Sequence, residues 1–368
     1  MHRPILCIAV AFTFVQSPTP ASLGAEDAAY YNDRGVGWFD KSEYDKAIEN
    51  FSQALKLKPA DAETYCWRGN AWKNKGEYSK AIEDFSQSIR LKPDYAEAYH
   101  YRGHAWNGKR EYDKAIKDYT EAIRLKPDYA EAYHCRGNFW VKRDEFDKAI
   151  IDYNEALRLK PDYALAYYNR GNVWLRKDEY EKATEDFNDA LCLKPDFAEA
   201  YYRRGHAWNG TREYDKAITD LNEAIRLKPD YANAYHCRGH TWNCKREYDK
   251  AISDYSEALR LQPDLGQTYR KRGDVWYAKR EYDKAIEDYS KALNLMPDDA
   301  DIYYNRGNVW YTKRDYSKAT EDFAKAIRLK PDLSPLYKVR ENTKKKADEH
   351  RSRLELYKQK YREQAKKP

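Results

Sequence analysis

Apolar and polar positions along this chain keep a beat of 34 residues. Proline returns at Pro59, Pro93, Pro127, Pro161, Pro195, Pro229, Pro263, Pro297 and Pro331, and glycine keeps the same period from Gly35 to Gly307. Inside one period, Tyr99, Gly103 and Trp106 fall at spacings of four and three. After a break, Ala115, Tyr119, Ala122 and Ile123 repeat that spacing, so each period predicts two amphipathic helices. The charged segment Lys109 to Glu111 marks the turn between them. Gly103 and Ala115 are small residues on the two facing stripes, which lets the backbones approach, and Tyr99, Trp106, Tyr112 and Tyr119 fill the space beside that contact. Proline after Leu-Lys ends the second helix, because it cannot continue the hydrogen-bond ladder and biases its predecessor away from helical geometry. Asp94 with Glu97, Asp128 with Glu131, and Asp196 with Glu199 have the spacing of a capping box. These pairs predict that the next helix starts directly after the proline, with the aspartate as its N-cap.

With this register, nine units tile the chain without insertion, at 28–61, 62–95, 96–129, 130–163, 164–197, 198–231, 232–265, 266–299 and 300–333. Every unit carries Arg at position 7, Trp at 11, Ala at 20 and Leu at 30. Position 17 is always Tyr or Phe, and position 24 is aromatic except at Leu221. A helix pair of this size cannot bury its apolar face alone, so neighbouring pairs must stack into a solenoid with one long continuous surface. A length of 368 residues would ordinarily suggest two globular domains, but the unbroken period and the absence of a Gly/Ser-rich linker override that expectation.

These residues resemble the tetratricopeptide repeat family, whose signature is a bulky residue at 4, Gly or Ala at 8, an aromatic at 11, Ala at 20, an aromatic at 24, Ala at 27 and Pro at 32. The departures are small: Ser88 replaces Ala at position 27, and Leu221 stands at 24. The resemblance implies an all-α fold, a right-handed superhelical α-α solenoid with first helices lining the concave face and second helices the convex one. It also implies a binding scaffold whose groove takes a protein or peptide.

Composition fits, with 35% charged and 42% apolar residues and a net charge of +6. The surplus sits in the tail, where residues 334–368 hold twelve Lys or Arg against five Asp or Glu, while the repeats are near neutral. Ser334-Pro335 reads as a helix start, and Leu336, Val339, Thr343 and Ala347 continue an apolar stripe. That predicts a C-terminal capping helix over the last repeat, followed by a basic tail that could dock on an anionic surface such as a membrane. Without an aromatic-rich basic patch or a nucleic-acid motif, DNA and RNA are not expected as partners. At the other end, Met1-His2-Arg3, the apolar run Pro4 to Val15 and the small residues up to Ala25 have the layout of a secretory signal peptide. The expected product is an exported protein, periplasmic or secreted, cleaved after Gly24 or Ala25.

Catalytic signatures are missing: the chain has no phosphate loop, nucleophile elbow or H-E-x-x-H, and no enzyme activity or cofactor is expected. Six histidines stand out, at positions 5 or 9 of the first helices: His100, His104, His134, His206, His236 and His240. The i, i+4 pairs His100/His104 and His236/His240 place imidazoles on one helical face, where they could bind zinc, copper or nickel. Metal binding is the alternative reading; the main one sets them among the polar, planar residues of a peptide groove, with Asn138, Tyr168, Asn172 and Tyr202. Basic groove residues are few, namely Lys73, Lys142, Arg176 and Arg270, so a carboxylate-binding groove is not expected. Arg at 7 and Asp at 23 recur together and are expected to form half-exposed, weak pairs. The cysteines of the repeats are scattered, with Cys66 at position 5, Cys135 and Cys237 at 6, Cys244 at 13 and Cys192 at 29, which argues against a disulfide framework. Asn209-Gly210-Thr211 is formally a glycosylation sequon, but groove position makes its occupancy unexpected.

Overall fold

The computed structural model describes residues 27–331 and, beyond them, 342–343, 345–346, 348–349, 351–356 and 358. The leader at 1–25 and the positions Leu336, Val339 and Ala347 of the expected capping helix lie outside the described residues. Among the described residues the regular structure is α-helical, with eighteen helices in tandem pairs up to Leu329. The pairs are α1 (Ala28–Asp40) with α2 (Tyr44–Leu57), α3 (Ala62–Asn74) with α4 (Tyr78–Leu91), and α5 (Ala96–Gly108) with α6 (Tyr112–Leu125). Next come α7 (Ala130–Lys142) with α8 (Phe146–Leu159), α9 (Ala164–Arg176) with α10 (Tyr180–Leu193), and α11 (Ala198–Gly210) with α12 (Tyr214–Leu227). The last three are α13 (Ala232–Cys244) with α14 (Tyr248–Leu261), α15 (Gly266–Ala278) with α16 (Tyr282–Leu295), and α17 (Ala300–Thr312) with α18 (Tyr316–Leu329). None of these helices is long and apolar enough to cross a membrane.

The chain divides after Ala132 into two compact units. In the first, α2 packs on α3 and α4 on α5, while α1 touches α3 and α3 touches α5. The second unit repeats the scheme from α8 on α9 through α16 on α17, with α9, α11, α13, α15 and α17 touching in series. In each unit, therefore, the first helices of successive pairs share one continuous face, and the second helices wedge between the pairs.

The repeated small residue sets this spacing. A Cβ added to Gly103 would lie 2.9 Å from the Tyr119 ring, and one on Gly35 would lie 2.6 Å from Phe51, so the aromatic at position 24 lies flat on bare backbone. The partner stripe holds Ala47, Ala115, Ala217 and Ala319, all fully buried. Beside this seam, each Trp at position 11 carries the Lys at 19 over its ring, as with Lys114 on Trp106 at 4.5 Å and Lys250 on Trp242 at 4.5 Å.

The Arg–Asp pairs are stronger than the sequence suggests. Arg204 grips both carboxylate oxygens of Asp220 at 2.8 and 2.7 Å, and the same two-pronged contact runs from Arg68–Asp84 to Arg306–Asp322. The aspartates are buried, with Asp220 only 5% exposed, which corrects the expectation of half-exposed pairs. The third nitrogen reaches the preceding second helix, as Arg204 Nη1 does to Asn188 Oδ1 at 2.7 Å and Arg272 Nη1 to Ser256 Oγ at 2.8 Å. One guanidinium thus joins three helices. Burial pushes the Asp84 and Asp186 carboxyls up, and the arginine forks oppose it. In the first repeat Asn50 takes the aspartate's place and donates instead to the Lys46 carbonyl at 2.7 Å.

Turns within each pair close by the same two bonds. In the third repeat, Glu111 N–H bonds the Trp106 carbonyl at 2.9 Å and Arg110 N–H bonds Asn107 at 2.8 Å, the pattern of a Schellman turn. The residue at position 15 must then adopt a left-handed conformation, which glycine supplies only at Gly76 (φ 80°); elsewhere Ser, Asp or Arg does so, as at Arg110 (φ 61°) and Arg246 (φ 63°).

The capping boxes do not form as the spacing suggested. Each first helix starts one residue later than assumed, so the N-cap is the residue after Asp94 or Asp196, namely Tyr95 or Phe197, which makes no side-chain cap bond. Only where that later position is Asp does a cap form, as with Asp27 to Tyr30 N–H at 2.8 Å and Asp299 to Ile302 N–H at 3.2 Å. Beyond the last repeat, Thr343 is buried and the Lys346 ammonium donates to the Tyr311 hydroxyl of α17.

Candidate functional site

The aromatic that replaces the cap has a second role. At position 34 its ring packs at a tilt against the residue at position 5 of its own repeat: Tyr129 on His100 at 4.7 Å, Tyr163 on His134 at 4.8 Å, Phe197 on Tyr168 at 4.7 Å and Tyr231 on Tyr202 at 5.1 Å. The position-5 row is thereby partly covered, and His100 and His134 are 5% and 4% exposed. The seventh repeat differs, because Leu265 stands at position 34 and leaves His236 uncovered by a ring. His236 Nδ1 instead meets the Thr268 hydroxyl at 2.8 Å.

In the first unit, the i, i+4 spacing brings His100 and His104 together on α5, with Nε2 atoms 3.2 Å apart and rings against Tyr119. At that separation one Nε2 carries the hydrogen and donates while the other accepts, so the pair shares a hydrogen bond.

The second unit carries a polar ladder along its first helices. The residue at position 6 reaches back to the preceding first helix. Asn169 donates to His134 Nε2 at 2.8 Å and to Asn138 Oδ1 at 3.0 Å, and the same Oδ1 accepts from the buried Tyr153 hydroxyl at 2.6 Å. Tyr163 hydroxyl meets His134 Nδ1 at 3.1 Å, so both imidazole nitrogens are engaged. A second closed set lies further along, where Asp274 accepts from Tyr289 hydroxyl at 2.7 Å and from Asn305 at 3.1 Å. Burial pushes the Asp274 carboxyl up, opposed by these two donors and by Lys271 and Arg270.

Between these sets the ladder is open. Position 6 is Arg203 on α11, Cys237 on α13 and Lys271 on α15. The buried atoms Asn172 Oδ1, Arg203 Nε, Tyr255 hydroxyl and Arg270 Nε have no hydrogen-bond partner in the protein. Tyr255 is fully buried, and its ring lies 5.6 Å from that of His236, yet its hydroxyl lacks the bond that Tyr153 and Tyr289 make at the same position. A cavity of about 420 Å³ opens on this stretch, lined by Tyr180, Tyr202, His206, Asn209, Gly210, His236, Cys237 and His240. Gly210 matters to its shape, since a Cβ there would strike the Tyr180 ring at 2.5 Å.

Electrostatics set this stretch apart as well. Burial, followed by His240, Lys271 and Arg270, brings the His236 imidazole down to about 4. Burial and then Lys271 lower His240, and enclosure followed by Arg203 lowers His206, which keeps an exposed edge at the cavity mouth. All three imidazoles are therefore neutral near pH 7, each able to donate through one nitrogen and accept through the other.

His206, His236 and His240 thus share one cavity. For a metal the fit is poor: among the described residues of this unit no three His, Cys or carboxylate atoms converge to ligand spacing, although His240 Nδ1 and Cys244 Sγ lie 3.8 Å apart. Neighbouring Arg203, Arg270 and Lys271 further oppose a cation. Asn209 is held by its neighbours, accepting from Thr241 at 2.9 Å and facing Cys237 Sγ at 3.4 Å. The five described cysteines are free, and burial pushes the Cys66 and Cys237 thiols up to about 12, which leaves those two unreactive.

Sequence reasoning missed Arg203, Lys271 and Tyr255. The signal was present in the register, because Asn169 and Asn305 reach back one repeat from position 6, and Tyr153 and Tyr289 at position 24 bond the residue at position 9; only the geometry showed which partners were absent.

Comparison with known proteins fits this architecture. A family model described as TPR repeat matches residues 38–76, 109–139, 140–178, 213–241 and 273–313. A second, described as tetratricopeptide repeat, matches 62–95, 164–197 and 300–333. Among solved structures, the C-terminal part of a TPR repeat-containing protein from Cytophaga hutchinsonii is 20% identical with a TM-score of 0.53, covering 64% of this chain and 97% of that one. PilF of Pseudomonas aeruginosa is 20% identical with a TM-score of 0.52, covering 58% and 97%. A tetratricopeptide repeat protein from Parabacteroides merdae is 17% identical with a TM-score of 0.50, covering 68% and 99%. These likenesses concern the fold. No curated protein matches.

Proposed function

Because the chain belongs to the tetratricopeptide repeat family, we propose that it is an exported interaction scaffold that holds a protein or peptide segment on its first-helix face between Asn172 and Lys271. The observation that carries this reading is the contrast in polar pairing. Buried donors and acceptors in native proteins are nearly always paired, and an unpaired one costs about 1–3 kcal/mol. Here four such atoms fall between Asn172 and Arg270, in the stretch of chain that also carries the cavity, while the flanking sets Asn169–His134–Asn138 and Asn305–Asp274–Tyr289 are closed. A bound segment would supply the missing partners with its own amides and side chains, as extended peptides do in grooves of this size. The neutral imidazoles of His206 and His240, with Asn209 between them, suit that task because each can serve a donor or an acceptor.

Export rests on the leader at residues 1–25. Mature protein recovered from the native host should begin at Ala25 or Glu26 on N-terminal sequencing, and recovery of intact Met1 would remove the export part of the reading.

The groove part is tested by affinity capture from the native cell envelope with the array and with an Arg203→Gln, His206→Ala, His240→Ala variant. His206 and His240 line the cavity and Arg203 acts on His206 from the same helix, and none of the three is a seam glycine, alanine or Arg–Asp pair, so helicity should be unchanged. Proteins retained by the intact form and lost by the variant support the groove. Equal retention by both forms would move the interaction to another surface.

A further inference from the structure

The walls of the cavity on the open stretch all gain charge of one sign when they take up protons. We propose that acid parts them: protonation of His206, His236 and His240 charges both sides and opens the joint between α11 and α13. Geometry carries the first step. His206 and Asn209 of α11 line one cavity of about 420 Å³ with His236, Cys237 and His240 of α13, the two helices touch, and His206 acts on His240 across the joint. The polar ties described across it are neutral and both run through Asn209, which accepts from Thr241 at 2.9 Å and donates to Cys237 Sγ at 3.4 Å.

The surroundings offer the new charges no counter-ion. Arg203 acts on His206 from its own helix, Arg270 and Lys271 act on His236 from α15, and Lys271 acts on His240 as well. Carboxylates on the adjoining elements are already engaged: Asp178 accepts from the Tyr180 hydroxyl, Asp274 from Tyr289 and Asn305, Asp220 of α12 from Arg204 and Asp254 of α14 from Arg238. Tyr255 of α14, whose ring lies 5.6 Å from that of His236, is kept neutral by burial, and Cys244 Sγ lies 3.8 Å from His240 Nδ1. In an opened joint the imidazoles meet water and return to about 6.5. The opened form therefore binds protons more tightly, and falling pH favours it from about 6.5 down to about 4, where His236 also charges in the closed form. Between pH 7.5 and pH 5 His236 alone shifts that balance about thirtyfold, and His206 and His240 act in the same direction. For the groove proposed above, opening is a release signal, and this consequence alone rests on that reading.

Two buried thiols make the test. Cys237 lines the cavity and is 5% exposed, whereas Cys66, 3% exposed in the first unit, has the carboxylates Glu63 and Glu97 acting on it and serves as the control. The purified protein is treated at pH 7.5 and at pH 5 with dithiodipyridine, which tags thiols in acid as well as at neutral pH. Peptide mass spectrometry then gives the tagging rate of each cysteine relative to the exposed Cys192. The relative rate at Cys237 is expected to rise about tenfold or more in acid while that at Cys66 stays level. A His206→Gln, His236→Gln, His240→Gln variant, checked for helicity by circular dichroism, is expected to keep Cys237 protected, and His240→Gln alone to give a smaller rise. A Cys237 rate that does not change, a Cys66 rate that rises with it, or variants that open as readily as the native protein would each overturn the proposal and leave the groove reading standing.

Discussion

Two stretches of the same face, built from the same repeat, end in opposite states. Around His134 the ladder is closed: Asn169 bridges back to His134 and Asn138, and Tyr153 and Tyr163 complete the set. Three repeats on, around His236, the helix pairs keep the same register, yet Arg203, Tyr255 and Arg270 keep unpaired buried atoms. The helices, the glycine seam and the Arg–Asp rivets are common to both. What differs is a handful of side chains at positions 5, 6, 9 and 34, where nothing in the seam constrains the choice. In a solenoid, architecture therefore fixes some positions of the repeat and leaves others free, and the proposed site is the place where the repeat's own polar pairing stops.

The comparison would break first at the seam they share. Replacing Arg238 by Ala leaves Asp254 buried without its two-pronged partner, and removing one side of a buried ion pair costs about 3–5 kcal/mol. Urea denaturation followed by circular dichroism should show that loss, and Arg170→Ala beneath the other stretch should lose as much. A much smaller loss at either would mean the rivets are not the common support.

Within the closed stretch, Asn169→Ala strands His134 and Asn138 together and should cost about 1–3 kcal/mol, with peptide capture unchanged. Arg203→Gln in the open stretch should behave the other way, reducing capture with little effect on stability. Identical behaviour of the two variants in both assays would erase the distinction.

Acid should act more strongly on the open stretch. The His236 imidazole is held at about 4 by burial and nearby positive charge, against about 6.5 in an unfolded chain. Between those values the unfolded state binds the extra proton, so stability is full above pH 6.5 and is lost as pH falls toward 4. The melting temperature should drop over that window, and a His236→Gln variant should drop less.

A finer contrast comes from two tyrosines at position 24. Tyr289→Phe removes a hydroxyl bonded to Asp274 and should cost about 0.5–1.5 kcal/mol, whereas Tyr255→Phe removes an unpaired one and should be neutral or stabilising. The smallest effect is expected at the turns. Asp144→Gly and Arg212→Gly each relieve a left-handed residue, at φ 58° and 62°, and the relief is largely offset by glycine's entropy, leaving about 0.5 kcal/mol or less in either stretch.

The sequence by itself determined the period, the helix pairs and their bounds to within a residue, because apolar spacing, proline and glycine act locally and recur nine times in one register. It also placed His206, His236 and His240 on one face. It misjudged the caps, since Asp94 and Asp196 lie one residue before the true helix start, and a shift of one is beyond what spacing resolves. It took the Arg–Asp pairs as half-exposed, since burial depends on the neighbouring second helix that Nη1 also reaches. Only the tertiary structure decided that Tyr163 and its equivalents cover the position-5 row, and that position 6 reaches back one repeat. It alone decided that the ladder closes at Asn169 and Asn305 but not between them. Those outcomes depend on contacts about 30 residues apart in the chain, where a local pattern carries no information about which donor meets which acceptor.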